Sequence, residues 1–112
     1  QSELDYLSGI GVNEKVTEQY MVKQETLTSF LDSQKISFVD VLFIDVEGYE
    51  MEVLKGIDFE RIDISCICVE NNRKSDILPD LKMREYLISK GYRLIARLTI
   101  DDVFIKNDLL KK

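Results

Sequence analysis

Four residues have the type and placement to do chemistry: Asp45 and Glu47 in IDVEGYE, and Glu70 with Asn71 in ICVENN. Each pair follows a run of apolar residues, and a carboxylate at such a point is rarely buried without a partner. Two carboxylates facing one crevice could orient a hydroxyl and take its proton. The chain has no histidine, so a carboxylate is the natural base. The alternative is purely structural: Glu47 and Glu50 would cap a helix and Asn71 would close a turn.

The elements that must position these residues can be read from the pattern of apolar residues. Val41–Ile44 is an unbroken apolar run, which suits a strand covered on both faces. It stops at Asp45. Gly48 permits a tight turn. Glu50 falls in a first helical turn, where the helix dipole favours negative charge. Val53, Leu54 and Ile57 give an apolar face, and Gly56 is expected to close the helix in a left-handed cap. Strand, acidic turn and helix form one step of an α/β fold, and in such folds ligands bind outside the carboxyl ends of the strands.

Elsewhere, Gln1–Lys15 reads as a loop and Val16–Lys23 as a strand of imperfect alternation. Thr26 is a helix N-cap ahead of Leu27, Phe30 and Leu31. Ile62–Val69 is the second apolar run. Pro79 opens a helix to about Lys90, with Leu81, Leu87 and Ile88 inward and Gly91 as its stop. Tyr92–Thr99 is a strand, Asp101 and Asp102 are read as a turn, and Val103–Ile105 is a short last strand. Alternating strands and helices predict an α/β sheet of mostly parallel strands with right-handed crossovers, finished by an antiparallel hairpin at one edge.

Composition narrows the partners. The 112 residues suffice for one domain, read as 1–112 with 1–25 as lead-in. The net charge of −6, from 21 acidic and 15 basic residues, argues against nucleic-acid binding. No apolar run approaches the roughly 18 residues of a membrane span. Cys66 and Cys68 sit two apart on one strand, too close in an extended segment for disulfide geometry, and no histidine is present to complete a metal site with them. They read as small buried hydrophobes, which suits a reducing, cytoplasmic setting.

TLTSFL, VDVLFIDVEGYEMEVLKG, ICVEN, GYRLIA and DDVFIKND together resemble the C-terminal half of the FkbM family of S-adenosylmethionine-dependent methyltransferases. The IDVEGYE…VLKG stretch is the specific part. Phe43 stands where the family often has Lys, and Ser29 where it often has Asp. The resemblance implies a partial Rossmann-like methyltransferase sheet, strands four to seven of seven, without the glycine-rich turn that holds most of the donor. It implies O-methylation of a hydroxyl on a small-molecule or glycan acceptor. Asp45, Glu47, Glu70 and Asn71 would be catalytic, Tyr49 would be a weak cofactor contact, and these residues alone would be inactive. Metal-dependent O-methyltransferases carry a similar acid and acid–amide pattern, and its oxygen ligands suit Mg²⁺. The FkbM resemblance requires no divalent metal, so none is assigned.

Two other readings compete with the enzyme. One is a non-catalytic α/β module that pairs with another chain, including a homodimer through the open edge of the Val41–Ile44 strand. The other is a nucleotide-hydrolase fragment, with VLFIDVE as the acidic strand. No GxxxxGK[ST] accompanies it.

Overall fold

The structure, a computed structural model, describes residues 24–73 and 78–110. The expected strand at Val16–Lys23 and most of the 1–25 lead-in lie outside them. The described elements are helix α1 (Leu27–Ser33), strand β1 (Phe38–Ile44), helix α2 (Glu50–Lys55), strand β2 (Asp63–Glu70), helix α3 (Leu81–Ser89), strands β3 (Tyr92–Leu98) and β4 (Asp101–Lys106), and a 3₁₀ turn at Asn107–Leu110.

One four-stranded sheet carries them, in the order β1-β2-β4-β3. The two apolar runs pair as adjacent parallel strands, Val41 opposite Cys66 and Ile44 opposite Val69. The sheet is not mostly parallel, however. β4 is antiparallel to both β2 and β3. Three strands run one way and only β4 is reversed, but β4 lies inside the sheet, between β2 and β3, and not at its edge. The crossover through α3 leaves a one-strand gap beside β2, and β4 turns back into that gap. Only one of the three neighbouring pairs is therefore parallel.

The α3 crossover also corrects two boundary readings. The tight turn falls on Thr99 and Ile100, with Thr99 at φ 59°. Asp101 and Asp102 belong to the strand. At the helix start, the N-cap is Asp80, whose carboxylate accepts from Lys82 N at 2.9 Å, and Pro79 precedes it. Met83 and Leu87 face inward, whereas Leu81 and Ile88 are exposed. The i, i+4 pair Met83/Leu87 defines the buried stripe. Leu81 and Ile88 fall outside it.

The core joins Leu31, Ile44, Leu54, Ile64, Ile67, Val69, Leu87 and Phe104. Burying each such side chain contributes about 1.5–3 kcal/mol. Its centre is β2, paired on both sides. β1 is covered less than its sequence suggests. Ile44 is buried, but Phe43 is 74% exposed and Val41 is exposed beside it. Among the described residues β1 pairs only with β2, so one edge and much of the Val41/Phe43 face have no neighbour.

Gly56 has a different role from the expected left-handed cap. Its φ is −84°, which any residue adopts. A Cβ there would lie 3.2 Å from Thr26 Cβ, so glycine lets the start of α1 approach the end of α2. Thr28 N donates to Gly56 O at 3.2 Å across that contact. Thr26 does cap α1 as expected, accepting from Ser29 N at 3.0 Å.

Candidate active site

β1 ends at Ile44, and the next five residues form the acidic turn. Glu47 and Gly48 both take positive φ, 47° and 102°. The second value is freely open only to glycine. Glu47 in the left-handed region carries strain of about 1 kcal/mol or more. What holds the turn is Glu50. Its carboxylate folds back to accept from Val46 N and Gly48 N, both at 3.0 Å, and the residue is only 5% exposed. Glu50 is therefore no surface charge tuned to a helix dipole, as its sequence position suggests. It is a buried acceptor that shapes the loop between β1 and α2.

This gives a direct expectation. Glu50→Gln replaces one acceptor oxygen with an NH₂ aimed at a backbone N–H. It should cost about 1–3 kcal/mol in a urea titration. Glu52→Gln, one exposed turn-mate away, should stay within about 0.5 kcal/mol. Equal midpoints would show that the Glu50 bonds do not hold the turn.

Asp45 and Glu70 meet at the carboxyl ends of the two parallel strands. The β1–β2 register that sets Ile44 opposite Val69 carries on to set Asp45 beside Glu70. One oxygen each from Asp45, Glu50 and Glu70 lie within 4.8 Å of one another. Burial pushes the Glu70 carboxyl above the usual glutamate range. A hydrogen bond and like charge from Asp45, then the charges of Glu50 and Asp101, push it further. Glu70 thus holds its proton to a higher pH than a free glutamate does. A carboxylate pair of this kind can accept a proton from a bound hydroxyl at one oxygen and share it across the pair. Glu50 is already committed to two backbone donors of the turn, whereas Asp45 and Glu70 are the two members of the cluster at the strand ends. No metal is assigned to it.

The other expected site residues are placed differently. Glu47 is exposed on the turn and does not join the cluster. Tyr49 is 61% exposed at the start of α2. It lines an open groove of about 780 Å³ with Thr26, Phe30, Val53 and Gly56, not the crevice of the carboxylates. Asn71 is buried. Its Nδ2 donates to Asp80 O (3.1 Å) and Asp102 Oδ2 (2.8 Å), and its Oδ1 accepts from Asp80 N (2.8 Å). Both N–H groups of the Asn71 amide are engaged within the fold, and its oxygen accepts from Asp80.

Sequence reasoning missed three residues beside the site: Asp102, Arg84 and Arg97. Asp102 is fully buried on β4 and paired with both arginines. The signal was present in DDVFIK, where Asp102 and Phe104 share a strand face, so a strand reading puts both inward.

A sequence model of the methyltransferase FkbM domain matches residues 2–94 of the chain. The chain belongs to this family. No curated protein and no solved structure matches it. The FkbM-domain match spans the acidic turn, both parallel strands and α3, so the crevice of Asp45 and Glu70 lies inside the family's domain. Among the described residues, the fit to a methyl donor such as S-adenosylmethionine is poor. The one glycine turn after a strand spends its Val46 and Gly48 N–H groups on Glu50, leaving neither for a donor's carboxylate or ribose. No helix among the described residues is long and apolar enough to cross a membrane.

Proposed function

We propose that this FkbM-domain chain supplies the acceptor side of an O-methyltransferase. The observation that carries the proposal is the Asp45–Glu70 pair, two carboxylates brought together at the carboxyl ends of parallel strands with the Glu70 proton affinity raised. The acceptor is a hydroxyl on a small molecule or glycan. Its O–H donates to the pair, which orients the oxygen and takes the proton as the O–CH₃ bond forms. S-adenosylmethionine would supply the electrophilic methyl group. Much of the rate would come from alignment, since holding reactants in line removes entropy from the barrier. Asp45 receives the hydroxyl and Glu70 shares its proton. Glu47 lies at the rim, and Asn71 fixes the strand end behind Glu70.

The experiment is a transfer assay with methyl-labelled S-adenosylmethionine and a panel of hydroxylated glycans and natural products, run on a protein that joins this chain to a donor-binding half. Label is expected in an alkali-stable ether of a hydroxyl-bearing acceptor. Label appearing only in base-labile esters or in amines would overturn the O-methyl reading.

A further inference from the structure

We infer that Asp102, with Arg84 and Arg97, forms a positioning centre that aims Glu70 at Asp45. The inference rests on the reading of Asp45 and Glu70 as the acting pair. The Asp102 carboxylate has no solvent exposure and accepts four hydrogen bonds. Oδ2 takes Asn71 Nδ2 and Arg84 Nε, each at 2.8 Å. Oδ1 takes Arg84 Nη2 at 2.9 Å and Arg97 Nη1 at 3.0 Å. These fill the acceptor capacity of a carboxylate. The Arg84 fork is bidentate, which fixes direction as well as distance.

Buried ion groups of this sort contribute little net stability compared with apolar residues of similar volume. The geometry they hold is what distinguishes them. Most of the hydrogen bonds of this network involve Asn71, the residue after Glu70. Asn71 N donates to Ile100 O at 2.7 Å, and Asn71 O accepts from Arg97 Nη1. The Asn71 side chain clasps both backbone groups of Asp80, the N-cap of α3. The exit of β2, the β3–β4 turn, β3, β4 and the start of α3 are thereby tied at one point.

The register shows how this reaches the site. On β4, Asp101 lies opposite Glu70 and Asp102 opposite Val69. Neighbouring residues on a strand point to opposite faces, so Asp102 lies on the face away from Glu70. It acts on Glu70 only through the main chain, by fixing the peptide that follows it. The groups that face Glu70 itself are Asp45, Glu50 and Asp101, all acidic. Left to itself, Glu70 would swing away from three negative neighbours into water. The fixed strand exit holds the Glu70 backbone beside Asp45, so that the side chain starts from the crevice.

The test follows the Glu70 carboxyl carbon by NMR against pH in the full chain. Asp102→Asn and Arg97→Gln are compared with Leu87→Ala, a core truncation on α3 that leaves the network's bonds intact. In the unaltered chain Glu70 should titrate above the ordinary glutamate range. In Asp102→Asn its midpoint should fall back toward that range, and Arg97→Gln, which removes the tie to the Asn71 carbonyl and one bond to Asp102, should move it the same way. Leu87→Ala should melt earlier yet keep the raised midpoint. A raised midpoint that persists in the folded network variants overturns the inference, as does an equal fall in Leu87→Ala. If Asp102→Asn does not fold, Arg97→Gln alone decides. An ordinary midpoint in the unaltered chain instead overturns the pairing of Asp45 with Glu70, and the proposed function with it.

Discussion

Phe104→Ala should lower stability by about 3–5 kcal/mol, a large share of the roughly 5–15 kcal/mol that holds a typical domain together. Phe104 has no solvent exposure and lies on β4, between two partner strands. It stands opposite Ile67 on β2 and Leu94 on β3. The ladders on either side keep those neighbours from closing in, so the space left by the ring stays open, and a persistent cavity adds to the lost transfer energy. Phe43→Ala removes the same ring from a residue that is 74% exposed on β1, and should shift stability by no more than about 0.5 kcal/mol. The urea midpoints of the two variants check this. Similar losses would mean that the core does not lie on the Phe104 face of the sheet.

The contrast between those two phenylalanines shows what could be read in advance. Both sit in strong β patterns, VLFI and VFIK. Unbroken apolar runs found β1 and β2 and made them parallel, because a run without alternation requires cover and a crossover helix lay between them. Run length does not report how many neighbours a strand has. β1 is apolar throughout most of its length, yet it pairs on one side only among the described residues, and Phe43 faces outward. The placement of β4 was hidden for a similar reason. A hairpin signal gives the pairing within the hairpin, whereas the side of the sheet it joins depends on the gap left by the preceding crossover.

At the site, Asp45 and Glu70 were legible because a polar residue ending an apolar run marks a strand end, and the shared register then brings both ends together. Glu50 and Asp102 were not, because a charged side chain reads as surface unless its partners are known. The partners of Glu50 are backbone N–H groups of a turn whose shape depends on Gly48. Those of Asp102 come from α3, from β3 and from the end of β2, up to 31 residues away in sequence. Asn71 reads as a ligand by its place after Glu70. Its structural part as a joint was hidden, because Asp80 and Asp102 arrive from elsewhere in the chain to bond its amide.

In a protein that joins this chain to a donor-binding half, Asp45→Asn should reduce methyl transfer by about 10²–10⁴-fold, the usual worth of a positioned base, with the fold retained. The change keeps size and removes a charge from an exposed residue, so no buried group is stranded. Glu47→Gln, on the same turn but outside the cluster, should cost far less. The pH profile carries a second, independent sign. In the unaltered enzyme Glu70 titrates above the usual glutamate range, through burial and then through Asp45. As pH falls through that raised value the pair gains its extra proton and loses basic capacity, so activity should drop on the acid side at a pH higher than an isolated glutamate would give. An amide in place of the Asp45 carboxylate carries no negative charge to oppose ionisation of Glu70. In Asp45→Asn the residual activity should therefore persist to lower pH, with its acid limb moved toward the ordinary glutamate range even as its plateau collapses. The measurement is the initial rate of labelled methyl transfer across acid to neutral pH for both proteins. A lowered plateau with an unmoved acid limb would show that Asp45 matters to turnover without facing Glu70. An unchanged plateau would remove Asp45 from the reaction altogether.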